Sequence, residues 1–263
     1  MKFLEVPLIQ KRIEIYSNIH TYTLNLIKIY ANAQYKLGIC YCYGNSDIKC
    51  NKYKAFEYFK KSAIQNDANG QYWLGRYYCE EVGIEKNYYK VFEFSYKSAN
   101  QNNSKGQCCL GCCFYYGYGI EKNLYKAVEL FQKSADQDNS NGQYRLGVCY
   151  YEGHGVDKDY HKVIELFQKS ADQNNPNGQY RLGVCYYEGH GVDKDYQKAV
   201  ELFQKSADQN NPNGQYFLEV YYDKSHGVDK NYNKAIEWLQ KTNDKTNEWL
   251  QKEDNNGIES SFK

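Results

Sequence analysis

The chain repeats itself every 36 residues, and that period constrains the fold more than any single motif. Block 141–176 laid over 177–212 differs at three positions only, His161/Gln197, Val163/Ala199 and Ile164/Val200. The offset carries back to 105–140 and 69–104 and forward from residue 213. One further step back works if the segment Asn45–Cys50 holds an extra residue. A unit of this length cannot bury an apolar face alone, so neighbouring units must stack to make a core. The period therefore predicts an all-α, right-handed solenoid of six stacked helix-turn-helix units, at about 31–68, 69–104, 105–140, 141–176, 177–212 and 213–243. An irregular helical cap is expected over residues 1–30. A helical extension and loose tail are expected over 244–263, where Glu237–Lys241 recurs as Glu248–Lys252 and sets Trp238 and Trp249 on one helical face.

Within a unit the apolar spacing gives two helices. In helix A, Gly142, Leu146, Cys149, Tyr150 and Gly153 share a face at 100° per residue. Gly147 lies at the edge of that face, and its counterparts are Gly38, Gly75, Gly111 and Gly183. Glycine inside a helix costs about 1 kcal/mol against alanine, so a close helix–helix crossing is expected there. A loop with two glycines follows, then Asn51, Asn87, Asn123, Asp159, Asp195 or Asn231, each a side chain that caps free amides of a following helix. Helix B carries Tyr160, Val163, Ile164, Phe167 and Ala171 as one stripe. Its outer face repeats a Glu–Lys pair four residues apart, as in Glu165–Lys169, which supports the helix by about 0.2–0.5 kcal/mol. Pro176 and Pro212 end the polar turn and exclude the α region for the residue before them.

Composition removes several classes of function. Thirty-three Lys and Arg against 32 Asp and Glu leave a net charge of +1, no basic field for nucleic acid. The longest apolar run, Cys108 to Tyr116, is far below the roughly 20 residues that span a bilayer. Glu5 and Pro7 interrupt the apolar N-terminal stretch, so no export signal is read and a cytoplasmic chain is expected.

The unit resembles the Sel1-like repeat, a relative of the tetratricopeptide repeat. The residues that carry the resemblance are Leu182-Gly183, Tyr186, the G-x-G-V loop Gly189–Val192, Lys198-Ala199 and Lys205–Ala207. It covers about residues 31–243. Glu81 and Ser225 replace the first loop glycine in two units, Glu219 replaces the helix-A glycine in the last, and the first unit has no G-x-G-V. The resemblance implies a non-enzymatic adaptor that holds a protein or peptide partner on the concave helix-A side, plausible in signalling, with no cofactor. The row on that side is Arg145, Glu152, Arg181, Glu188, Trp73 and Tyr116, with Lys36, Glu80, Cys109, Phe217 and Lys224 as further members. An ordinary solvated face is the alternative.

Cys108, Cys109, Cys112 and Cys113 lie on one helix, where four ligands cannot surround a tetrahedral ion. They occupy apolar positions of the repeat, so small-hydrophobe packing is expected, with a thiol or metal sensor as the alternative. The cysteine-rich branch of the family, some members of which are linked to β-lactam binding, places paired cysteines where this chain has Ala171 and Gln179. That framework is missing here, and with it the main ground for a hydrolase. Cys42 and Cys50 are left as a stray pair. His154, His190 and His226 recur in the loop and read as tolerated exposed residues. No nucleophile–base pair, phosphate loop or metalloprotease motif occurs, so no catalytic or metal residue is assigned.

Overall fold

A computed structural model describes residues 5–80 and 85–223. These residues form eleven helices and no strand. They are α1 (Glu5–Tyr43), α2 (Lys52–Ile64), α3 (Ala68–Glu80), α4 (Tyr88–Asn100), α5 (Ser104–Tyr116), α6 (Leu124–Ala135), α7 (Ser140–Glu152), α8 (Tyr160–Asp172), α9 (Pro176–Glu188), α10 (Tyr196–Asp208) and α11 (Pro212–Asp223). Odd-numbered helices are helix A of a repeat and even-numbered ones helix B. The chain divides into two compact units, Met1–Gly142 and Gln143–Lys263. Within each, consecutive helices pack on one another as α-solenoid hairpins.

The joint inside a hairpin is a phenyl ring seated on a glycine. A Cβ added to Gly38, Gly111, Gly147 or Gly183 would lie 2.5–2.6 Å from Cε1 of Phe59, Phe131, Phe167 or Phe203. All four rings are at most 1% exposed. The close crossing expected at the Leu-Gly pair is therefore made by a buried ring from helix B. The second hairpin breaks the pattern. Ser95 occupies the phenylalanine position, and a Cβ on Gly75 would find nothing closer than 3.4 Å. A second regular contact joins the two helices at the surface. The ammonium groups of Lys54, Lys90, Lys126, Lys162 and Lys198 sit 4.7–5.3 Å from the rings of Tyr41, Tyr78, Phe114, Tyr150 and Tyr186. The lysine stem also shields the ring.

The joints between hairpins are small and polar. Ser98, Ser134 and Ser206 donate through Oγ to the first carbonyl of their own helix A, Ala68, Ser104 and Pro176, at 2.7–2.8 Å. Each serine also fills the space above a glycine of the next helix A. A Cβ on Gly142, Gly178 or Gly214 would stand 2.5 Å from the Oγ of Ser134, Ser170 or Ser206. Beside this lies a row of buried glutamines. Gln71, Gln107 and Gln179 donate from Nε2 to Asn66, Asn102 and Asn174 at 2.9–3.0 Å. They accept at Oε1 from Gln101, Gln137 and Gln209 at 2.7–2.8 Å. Gln143 accepts likewise from Gln173 at 2.9 Å. The three asparagines have φ of 57–62°, a left-handed conformation that Asn tolerates better than most residues. The turn thus orients the amide that the buried glutamine needs.

The predicted caps form. Asn51, Asn87, Asn123 and Asp195 accept from the amides of Lys54, Lys90, Lys126 and Lys198 at 2.9–3.0 Å, and Asp159 accepts from His161 and Lys162 at 3.1 Å. The outward Glu–Lys pairs form at Glu93–Lys97, Glu129–Lys133 and Glu165–Lys169, at 2.5–2.6 Å. At the N-terminus, α1 runs without a break from Glu5 through helix A of the first hairpin. In this hairpin the buried Gln34 Oε1 and Ser62 Oγ have no hydrogen-bond partner, whereas downstream Gln71, Gln107 and Gln179 accept from a helix-B glutamine and Ser98, Ser134 and Ser206 donate to a helix-A carbonyl. Tyr22, Leu26, Ile29 and Tyr30 on α1 are exposed. Glu81, Lys224, Ser225, His226, Asn231, Glu237–Lys241, Trp238 and Trp249 lie outside the described residues, as does the expected C-terminal extension.

Three substitutions test these joints. Gly183→Ala must displace the buried Phe203 ring or the α10 backbone, whose Ala199 carbonyl is 3.2 Å from the added Cβ. Overpacking of about 1–3 kcal/mol outweighs the roughly 1 kcal/mol of helix propensity gained, and the urea midpoint falls. Gly75→Ala meets only ordinary contacts and holds or raises the midpoint; equal effects at both sites refute the ring-on-glycine account. Gln179→Leu removes both bonds of a buried amide and is expected to cost about 1–3 kcal/mol, read by the same titration.

Candidate functional site

The helix-A row falls into different surroundings in the two units. In the first, Trp73 is 7% exposed. Its indole stacks on Phe59 at 5.2 Å and meets Tyr43 edge-on at 6.1 Å. The sequence placed Trp73 on an open face, but the structure puts it in the core of the first two hairpins. The physical reason is local. Trp73 lies beside Leu74-Gly75, where Ser95 leaves its own hairpin without a phenylalanine. The large indole packs instead on Phe59 of the preceding hairpin. Tyr116 remains 37% exposed, stacked on Tyr118 at 5.2 Å. Arg76 bonds Glu80 through its guanidinium and lies 5.0 Å from the Trp73 ring, so it roofs the buried indole.

In the second unit Glu152 is exposed, and Arg145 and Arg181 are half-buried. The Arg145 guanidinium lies 5.3 Å from the Tyr144 ring. Arg181 lies 5.4 Å from Tyr180 of its own helix and 5.9 Å from Tyr151 of the preceding repeat. Burial opposes its charge, but the Tyr180 and Tyr144 hydroxyls outweigh that, so its pKa is raised and the cation is retained. Arg181 Nε is buried with no hydrogen-bond partner in the chain. Two rings and two hydroxyls around the guanidinium restrict the orientations this cation can take.

Glu188 is exposed but engaged. Tyr151 donates its hydroxyl to Glu188 Oε2 at 2.9 Å and lies 3.0 Å from His190 Nδ1, which is itself 3.0 Å from Glu188 Oε2. The His190 ring stacks on Tyr160 at 5.0 Å and 13°. Burial, then Glu188, pushes the Tyr151 pKa up, so the phenol stays a donor. Gly191 allows this approach. Its φ is 75°, and a Cβ there would lie 2.6 Å from the Tyr160 carbonyl. The loop of one repeat therefore sits on the first turn of helix B in the repeat before it. The first unit builds the same joint from tyrosine: Tyr118 stacks on Tyr88 at 4.4 Å and 8°, beneath Gly119. Burial, then Tyr88, pushes the Tyr118 pKa up to about 12. The repeat pattern marks the loop His as a tolerated exposed residue, but at His190 it is an inter-repeat contact. The signal was present, since Tyr118 stands at the same register as His190 and both are flat rings between two glycines.

The thiols behave as packing groups. Cys108 and Cys113 are buried, Cys109 and Cys112 half-buried, and none of the ten cysteines is in a disulfide. Burial pushes the Cys113 pKa up, and burial again raises Cys79 to about 11, so neither is a ready nucleophile. Among the described residues no group of three or more His, Cys, Asp or Glu is placed to hold a metal ion. No described helix is long and apolar enough to cross a membrane. Where the cysteine-rich branch would pair thiols, Ala171 is buried in a repeat core and Gln179 is in the amide row.

Solved structures share this architecture. A Sel1 repeat protein from Oxalobacter formigenes is 27% identical, with a TM-score of 0.69 over 80% of this chain and 84% of that one. The protective antigen c5321 of uropathogenic Escherichia coli, described as displaying the same repeat fold, is 36% identical with a TM-score of 0.59. The match covers 82% of this chain but 46% of the antigen. A putative Sel1 repeat protein from Klebsiella pneumoniae, 19% identical with a TM-score of 0.52, shares the fold. A comparison with proteins of curated function finds no match. The Sel1 repeat profile matches six times, at residues 31–67, 68–103, 104–139, 140–175, 176–211 and 212–247. With the repeat carried over most of its length and the hairpin joints built from the repeat's own glycines, the chain belongs to the Sel1 repeat family.

Proposed function

We propose that this chain is an adaptor that holds a protein or peptide partner along the helix-A face of its second unit, working in a reducing compartment such as the cytoplasm and in a signalling context. Sel1 repeat proteins are generally non-enzymatic scaffolds for protein interaction. The observation that carries the finer reading is Arg181. Its guanidinium is fixed between Tyr180 and Tyr151, and its Nε is buried without a partner. Arg145 holds the same register one repeat earlier, also beside a tyrosine ring. Two such cations 36 residues apart suit an extended segment that presents carboxylates or carbonyls in series. The engagement of several repeats adds avidity to weak single contacts. Glu152 and Glu188 flank the cations and select against a uniformly acidic partner.

The test begins with affinity purification and identification of the bound protein, followed by calorimetric titration with it. Arg145→Ala with Arg181→Ala is expected to weaken binding at least tenfold, about 1.4 kcal/mol. Lys205→Ala on the outer face of α10 serves as the control and leaves affinity unchanged. Unaltered affinity in the double variant removes this row as the binding surface.

A further inference from the structure

The first hairpin carries a feature found in no other repeat. Its A-to-B loop has an extra residue and places Cys50 where the later repeats have Lys86, Lys122, Lys158 and Lys194. Cys42, near the end of α1, stands where they have Cys79, Tyr115, Tyr151 and Tyr187. These two positions face each other elsewhere in the first unit. The Lys122 ammonium is 5.9 Å from the Tyr115 ring, and Lys86 acts electrostatically on Cys79. In the first hairpin both positions are thiols.

The local geometry brings them together. The Asn51 amide donates to the Tyr41 carbonyl at 2.8 Å, which lays the end of the loop beside the end of α1 one residue from each cysteine. The Cys50 thiol donates to the Cys42 carbonyl at 3.1 Å. Lys52 Nζ is 3.6 Å from Cys42 Sγ. Burial pushes up the Tyr77 pKa, and both Cys42 and Cys50 add to the shift, so both sulfurs lie within its electrostatic reach. Accessibility differs sharply between the two: Cys50 is exposed, whereas Cys42 is 4% exposed. The loop itself is pinned. Asn45 Oδ1 accepts from the amides of Asp47 and Ile48 at 3.0 and 2.7 Å, and the Asn45 amide donates to the Ile48 carbonyl at 2.8 Å.

We propose that Cys50 and Cys42 are a hydroperoxide-reactive thiol pair, with Cys50 the entry site and Cys42 the resolving thiol. Cys50 Sγ attacks the peroxide, an S–O bond forms, the O–O bond breaks, and the alkoxide or hydroxide leaves with the thiol proton. Cys50 is then a sulfenic acid. Cys42 Sγ attacks that sulfur, the S–O bond breaks, and hydroxide leaves and takes up the Cys42 proton as water. In sum, two thiols and one hydroperoxide give one disulfide, one alcohol or water, and one further water. The Lys52 ammonium supplies a counter-charge to Cys42 as it attacks. The product closes the loop 42–50 and draws Cys42 away from the Trp73 and Tyr77 side of the core.

The test treats the reduced full-length protein with one equivalent of hydrogen peroxide, blocks remaining thiols and maps tryptic peptides by mass. The peptides holding Cys42 and Cys50 are expected joined with loss of two hydrogens, and separated again by dithiothreitol. The peptide with Cys42 also contains Cys40, so the link must survive Cys40→Ser and vanish in Cys42→Ser. In Cys42→Ser, Cys50 sulfenic acid is expected to accumulate and react with dimedone. Cys50→Ser, at an exposed position, abolishes the link while leaving helical circular dichroism unchanged, which keeps the test valid should Cys42→Ser not fold. Lys52→Met slows link formation severalfold. Oxidation of Cys50 without linkage, linkage to another cysteine, or a link persisting in Cys42→Ser overturns the proposal.

Discussion

A phenyl ring resting where a glycine has no side chain sets the distance between the two helices of four hairpins. Phe59, Phe131, Phe167 and Phe203 are buried almost completely, and each takes the volume that a Cβ on Gly38, Gly111, Gly147 or Gly183 would claim. Helix propensity argues against glycine at those positions. Packing decides otherwise, because a fully buried ring contributes more than a helix-interior glycine costs. The Ser95 exception shows the logic from the other side. Without the ring, Gly75 has room to spare, and Trp73 packs on the ring of the hairpin before it.

The second requirement is polar. Successive helix A starts must come close to the end of helix B, and a bulky apolar group there would hold them apart. A serine against a glycine permits close approach and still satisfies the serine hydroxyl. The buried glutamines do comparable work with two hydrogen bonds each in the best-formed cases. A buried amide without those partners would cost stability, so the left-handed asparagine and the helix-B glutamine are parts of one arrangement. Gln179 thus supplies a non-covalent staple between the turn before it and the end of its own helix B.

These joints leave the helix-A face free to vary, and it does. In the first unit it is roofed by aromatic stacking and offers Tyr116 and Tyr118. In the second it offers arginines beside tyrosines and one carboxylate, Glu188, tied to Tyr151 of the repeat before it. The near-duplicate repeats at 141–176 and 177–212 carry the same side chains, so the second unit presents one pattern twice. The loop contacts through Tyr118 and His190 brace the edge of this face, because the second loop glycine brings backbone against backbone.

The sequence alone determined the repeat, the alternation of two helices, the caps and the need for a close crossing at Leu-Gly, because each of these is a local or periodic property. The caps were legible because a short polar side chain one residue before a helix has one main use. Tertiary structure decided the rest. It chose Trp73 for the core although its register matched the half-buried Arg145 and Arg181, since burial depends on which ring the opposing helix supplies. It turned the loop histidine at 190 and the helix-A glutamines into inter-element contacts, since the histidine's ring partners and the glutamines' helix-B partners lie 30 or more residues away along the chain. It brought Cys42 against Cys50 through an extra loop residue whose effect on the path of the backbone no periodicity encodes.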